Sequence, residues 1–151
     1  MSEEIVFHPI GHIQTDFDGK QHIPRQGTFS PNTKGVAVLK EEFMSGLASL
    51  ETFSHCWILF HFDRSENYSL LQEAAVDRSV HGVFSIRSPK RPNPIGMTVV
   101  KIDRIEHNKI YFTGADMING TPILDIKPYV EEIDCIKNAG KGWLQGRIKQ
   151  V

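Results

Sequence analysis

The segment from Gly82 to Gly96, GVFSIRSPKRPNPIG, forbids a regular element through the middle of this chain. Pro89, Pro92 and Pro94 each fix φ, lack a backbone donor and push the preceding residue towards extended geometry, so neither a helix nor a paired central strand can pass through them. Val83, Phe84 and Ile86 are expected to begin the segment as a strand. Asn93 suits a turn, and Gly96 releases the chain into a second apolar run, Met97 to Ile102. Arg87, Lys90 and Arg91 fall within this stiffened stretch with no acidic residue beside them, so three cations sit on backbone with little freedom to lose on binding. Composition leaves two readings open: a loop built to hold an anion, or a proline-rich surface connection with incidental charges.

Short β-leaning runs surround this segment. Ile5 to Thr15, interrupted by Pro9 and Gly11, is expected as an edge or kinked strand, and Val36 to Leu39 as a short one. Phe43, Met44, Leu47 and Leu50 recur at helical spacing, which predicts one amphipathic helix over Glu41 to Leu50. Ser54 to Arg64, SHCWILFHFDR, is the most hydrophobic run and is expected as a central strand buried on both faces. Alternation puts His55, Trp57, Leu59, His61 and Asp63 on one side, with Cys56, Ile58, Phe60, Phe62 and Arg64 on the other.

Glu66 to Ser79 is polar and too irregular for a long helix. Thr98 to His107 and Lys109 to Gly114 predict two strands joined at His107-Asn108, Val130 to Gly142 reads as a polar loop, and Trp143 to Val151 is expected to add a last strand. Short strands with one or two short helices and long rim loops predict a mainly β fold, a closed or nearly closed antiparallel β-barrel, over a single domain of residues 1–151.

Two long polar stretches remain. Asp16 to Lys34 has neither helix nor strand period, and a loop of that length in a compact domain is more often functional than idle. At its centre Pro24-Arg25-Gln26-Gly27 places a cation and an amide beside a glycine that permits close approach; an ordinary turn reads equally well. Asp116 to Pro122, DMINGTP, is a second turn rich in hydrogen-bonding groups.

Several function classes are disfavoured. A formal net charge of −1 does not suit a protein that coats nucleic acid through bulk charge, so any such contact must be local. Dinucleotide-fold glycines, GxSxG, HExxH and a phosphate loop are all missing. His55 and His61 share a strand face without a Glu or Cys at ligand spacing, so a satisfied core histidine is preferred to zinc and no metal is expected. Cys56 and Cys135 lie far apart without CxxC spacing. With no apolar run long enough to cross a bilayer and an acidic start, the chain is expected in the cytoplasm, with no membrane partner.

Four strings taken together, PRQG, LETFSHCWILFHF, GVFSIRSPKRPNPIGM and DMINGTPILDIKPY, resemble the TsaA-like family, the family of tRNA methyltransferase O, in order from about Ile5 to Tyr129. The resemblance implies an S-adenosylmethionine-dependent enzyme on a β-barrel, a homodimer with the cofactor near the subunit interface, which methylates N6 of threonylcarbamoyl-adenosine at position 37 in the anticodon loop of tRNA. By similarity Pro24, Arg25, Gln26, Asp63, Arg64, Arg87, Met97, Ile118, Asn119, Gly120 and Thr121 would contact the cofactor, and Lys90 and Arg91 the RNA. Asp116, Asp125 and Tyr129 are candidate proton acceptors without a ranking, so no catalytic residue is named. Asn119 departs from the Asp expected in the family's DGTP string. The chain also runs only a little past the family core, where some members continue into a C-terminal domain, so its grip on tRNA is expected to be weaker or supplied differently. Two alternatives stand beside this reading: methylation of another RNA or a small molecule, and a non-catalytic S-adenosylmethionine-binding module.

Overall fold

The computed structural model describes residues 3–19 and 32–148. Six antiparallel strands close into a barrel: β1 (Gly11–Gln14), β2 (Lys34–Leu39), β3 (His55–His61), β6 (Ile95–Glu106), β7 (Lys109–Thr113) and β8 (Pro122–Pro128), in the order β1-β2-β7-β6-β3-β8. The other two, β4 (Leu71–Glu73) and β5 (Val80–Gly82), form a separate hairpin. Closure removes exposed strand edges, and it is completed by a short β8-to-β1 seam in which Gly11 pairs Ile123 and His12 pairs Pro122.

Alternation decides what fills the barrel. Cys56, Ile58 and Phe60 of β3 point inward and meet Val100 of β6, Ile110 and Phe112 of β7, Ala37 and Leu39 of β2, Ile13 of β1 and Ile123 of β8. Each fully buried large apolar side chain contributes on the order of 1.5–3 kcal/mol relative to exposure, so this interior dominates stability. At Gly96, which pairs Phe60, a Cβ would stand 2.3 Å from Phe60 Cζ, so the far end of the aromatic ring fills the space beside the glycine.

Several expected elements differ. The chain from Ser54 to Arg64 is a strand only over His55–His61, and only its Cys56, Ile58 and Phe60 face is buried; a single-layered barrel covers its inner wall, so Trp57 and Leu59 stay partly open on the outside. Strand β1 is no edge, being paired on both sides, and it is shorter than Ile5 to Thr15, with Ile5, Val6 and Phe7 exposed before it. Glu41 to Leu50 forms not one α-helix but 3₁₀ turns at Glu41–Leu47 and Leu50–Thr52, because Gly46 is a poor helix former and Ser49 takes φ of 73°. Val83 to Ile86 is no strand: pairing stops at Gly82 and Val83–Ser85 is a 3₁₀ turn. The segment after Gly142 makes a 3₁₀ turn, Gly142–Leu144, in place of a last strand, with the positive φ of Gly142 and Gly146 turning the backbone. Within the polar stretch from Val130, one helical turn forms, α1 (Glu131–Asp134). As expected, β6 and β7 join at His107-Asn108, where His107 has φ of 55° and Asn108 Nδ2 donates to Leu39 O over 2.6 Å.

Candidate functional site

The end of β3 is a hub. Where the strand leaves the barrel wall, Phe62 N donates to Pro94 O (2.8 Å), Arg64 Nη2 to Asn119 O (2.8 Å) and Ser65 Oγ to Pro89 O (3.1 Å). Three residues within four positions thus bind the proline loop and the 118–121 turn, and segments remote in sequence meet at one rim. Gly19, the last described residue before position 32, belongs to the same place: a Cβ there would lie 3.8 Å from Ile118 Cδ1 and 3.9 Å from Arg64 Nη1. Pro24, Arg25 and Gln26 lie outside the described residues.

The 118–121 turn is held from every side. Gly120 takes φ of 87°, a left-handed value that admits glycine readily, and its N–H donates to Ile13 O (2.7 Å). Thr121, buried, donates its hydroxyl to Ile118 O (2.6 Å), so its side chain closes the turn. Asn119 N donates to Phe17 O (2.7 Å), while Asn119 Oδ1 accepts from Thr15 N (3.2 Å). That last acceptor is one an aspartate would supply equally, so the asparagine can keep this bond while it removes the charge and puts an NH2 donor where a second acceptor oxygen would be. The Arg64 guanidinium reaches this turn, with Nη2 on Asn119 O and 3.6 Å from where a Gly120 Cβ would be.

The proline loop is fixed through its carbonyls. Trp143 Nε1 donates to Ser85 O (2.9 Å), Arg91 Nη1 to Ile86 O (3.0 Å) and Ser88 O (3.2 Å), Ser65 Oγ to Pro89 O, and Gln72 Nε2 to Lys90 O. Donors from four parts of the chain hold the backbone while Arg87 and Lys90 remain exposed. Arg91 is half-buried, and its Nη1 closes the loop that carries it. Asp63 is exposed beside Arg64, and Met97 stands on the outer barrel wall opposite Leu59, 43% exposed.

Among the unranked proton acceptors, Asp125 Oδ2 pairs with Lys127 (3.2 Å) and its Oδ1 accepts from Ile126 N (2.9 Å). Tyr129 packs edge-on against His55 at 6.3 Å and tilted against Trp57 at 6.1 Å; desolvation, with the Cys135, Glu131 and Asp134 charges, raises its phenol pKa. A phenol so raised is a donor rather than a base at neutral pH. Burial likewise pushes the Cys56 thiol up to about 12, which makes it chemically inert. Among the described residues no cluster of His, Cys, Asp and Glu could hold a metal ion, and no helix is long and apolar enough to cross a membrane.

The model of the tRNA-methyltransferase O N-terminal domain matches residues 12–135. This chain belongs to that family. Within the tRNA-methyltransferase O N-terminal domain family, it is 37% identical to a probable S-adenosyl-L-methionine-binding protein of Pyrococcus abyssi, over 97% of this chain and 80% of that one. It is 38% identical to the human tRNA (adenine(37)-N6)-methyltransferase, covering 89% of this chain but 32% of the human protein. A crystal structure of TrmO from Pseudomonas aeruginosa superposes with a TM-score of 0.79 at 37% identity, covering 93% of this chain and 62% of that one. The chain therefore spans about a third of the human relative and about three fifths of the crystallised one. The family match contains the whole of the hub and both segments it joins, residues 62–65, 85–94 and 118–121.

Ser65, Gln72, Gly19 and Trp143 escaped the sequence reading. Their bonds run from a side chain to a backbone carbonyl 18 to 58 residues away, or rest on bare backbone approach, and such contacts leave no period or motif.

Proposed function

We propose that this chain is an S-adenosylmethionine-dependent tRNA methyltransferase, acting on N6 of threonylcarbamoyl-adenosine at position 37 in the anticodon loop. What carries the reading is the convergence on one rim of Arg64, the 118–121 turn and the braced Arg87–Lys90 loop, inside the matched family domain. The residues present fit the cofactor. Arg64 offers a guanidinium fork for its carboxylate, Gly120 leaves backbone open to close approach, Ile118 and Met97 supply apolar surface, and Asp63 and Asn119 stand beside them for its ammonium and ribose. Thr121 holds the turn in shape, and Arg87, with Pro24, Arg25 and Gln26, would complete the enclosure.

S-adenosylmethionine supplies a methyl group on a sulfonium sulfur, whose positive charge is lost as adenine N6 takes the methyl and gives up its proton. The chain's task is alignment and exclusion of water, because an in-line displacement gains most from fixed geometry. The urea-like group on N6 makes its proton more acidic than that of an ordinary aromatic amine, so no strong base is required, and Tyr129, with its raised pKa, is unsuited to be one. Lys90, with the N–H groups of Arg91 that do not close the loop, faces RNA phosphate, a local contact compatible with a net charge of −1.

We also propose that the chain acts in the cytoplasm as one domain and as a homodimer. Phe84 is 80% exposed, and Ile95 and Met97 are 44% and 43% exposed on the outer wall beside the rim, an apolar surface that a second copy would cover. Incubation with methyl-labelled cofactor and tRNA carrying threonylcarbamoyl-adenosine should place label on that nucleotide and none on tRNA with unmodified adenosine at position 37. Label on both, or on another RNA, would redirect the substrate. Cofactor binding without transfer to any tRNA would reduce the protein to a binding module.

A further inference from the structure

Residues 142–147 lie beyond the 12–135 span of the family match, yet they fold back onto the β4–β5 hairpin and the proline loop. Three contacts fasten them. Trp143 Nε1 donates to Ser85 O over 2.9 Å; the Trp143 indole stacks on His81 with centroids 4.1 Å apart and planes 18° from parallel; and Arg147 Nε pairs with Asp77 Oδ2 at 2.9 Å. Arg147 Nη1 also donates to Trp143 O, which locks the turn on itself. His81 in turn hydrogen-bonds Ser79 Oγ at 2.7 Å, and Ser79 donates through both its hydroxyl and its backbone N–H to Asp77 Oδ1. The hairpin so gripped carries Gln72, whose amide holds Lys90 O. One end of the cation loop is thus held by Trp143 directly and the other by the hairpin that Trp143 and Arg147 clasp.

We infer that residues 142–147 form a brace that sets the position of the Arg87–Lys90 loop for its anionic RNA partner, with Trp143 as the positioning residue. This rests on the proposed tRNA methyltransferase activity. Trp143 is not placed against cofactor or reacting atoms: it binds backbone two residues before Arg87 and acts through the loop. Arg91 closes the loop from within, whereas Phe62 N and Ser65 tie it to the end of β3, Gln72 to the β4–β5 hairpin and Trp143 to the 142–147 segment. Removing the outermost of these anchors loosens a loop that is otherwise pre-organised, and the consequence falls on capture of RNA rather than on the chemical step.

The test compares wild type with Trp143→Phe, which keeps a ring on His81 but loses the N–H, and Trp143→Ala, which loses both. Hydrogen exchange of the Ile86, Lys90 and Arg91 amides reads the brace without any activity measurement; it should quicken in Trp143→Ala and less in Trp143→Phe. Kinetics at saturating cofactor with tRNA carrying threonylcarbamoyl-adenosine should show KM for tRNA raised about three- to tenfold in Trp143→Ala, with kcat unchanged. Unchanged exchange, or quickened exchange with an unchanged KM for tRNA, overturns the inference. If wild type transfers no methyl group, the proposed function fails instead. Titration of an anticodon stem-loop RNA then decides: weaker binding by Trp143→Ala supports the brace, and equal binding overturns it.

Discussion

Replacing Arg64 by Met tests the hub most sharply. Methionine keeps the length and apolar stem of the side chain while removing the fork that donates to Asn119 O and lies beside Gly19 and Gly120. The bond lost within the protein is solvent-exposed, and water can satisfy Asn119 O, so the stability cost is at most about 1 kcal/mol. For a chain of 151 residues that lowers Tm by roughly 2–4 °C. The effect on binding is larger. A charge-assisted bond to a ligand carboxylate is worth about 1.5–3 kcal/mol, which corresponds to a loss of affinity on the order of 10- to 150-fold. Calorimetric titration with S-adenosylmethionine should therefore show a Kd raised at least tenfold at nearly unchanged Tm. Arg64→Lys should recover little, because an ammonium cannot hold Asn119 O and a carboxylate in one plane. An Arg64→Met protein that folds and binds the cofactor as wild type does would refute the assignment of Arg64 and the rim site built around it.

Three further outcomes follow from the same geometry. Gly96→Ala drives a Cβ into the Phe60 ring at 2.3 Å, and that ring is itself packed edge-on against Phe62 at 5.0 Å; an overpacking cost of about 1–3 kcal/mol should lower Tm by roughly 3–10 °C in a thermal scan. In thiol titration of the native protein at mild alkaline pH, exposed Cys135 should react at once while Cys56, its pKa near 12 inside the barrel, reacts only after denaturation; rapid reaction of both would contradict the closed core. The Ser79 hydroxyl and backbone N–H, with Arg147 and His81 nearby, outweigh desolvation and hold the Asp77 carboxyl below its ordinary range. A depressed native pKa gives stability that is present above the unfolded value and lost as pH falls through the native one, so proteolytic release of the 142–147 segment should be constant across the neutral range and rise only in acid. A rise centred on neutral pH would assign the grip to another group.

The barrel was legible because its determinants are local. Alternation over His55–His61 assigns Cys56, Ile58 and Phe60 to one wall, and His107-Asn108 marks a hairpin, so strand identity follows from a period of two and from turn chemistry. Helical spacing misled at Glu41–Leu47, where apolar residues three and four apart serve a 3₁₀ turn as well as an α-helix and only Leu47 is buried. The apolar letters of Val83 to Ile86 likewise misled, since a strand exists only where a partner continues, and β4 begins at Leu71 opposite Gly82, leaving only Val83 N on Leu70 O beyond the ladder. At the site, the proline loop and the DMINGTP turn stood out through residues with unusual backbone demands. What joins them, Arg64 to Asn119 O and Ser65 to Pro89 O, is a matter of tertiary placement that no spacing encodes.

The most direct measurement of the whole account is a crystal structure with S-adenosylmethionine bound. The amino acid end of the cofactor should lie against Arg64 and the backbone of Asn119 and Gly120, with the methyl group open towards the Arg87–Lys90 loop. A cofactor seated away from that rim, for example in the cleft between the 41–53 turns and Ile126, would contradict it.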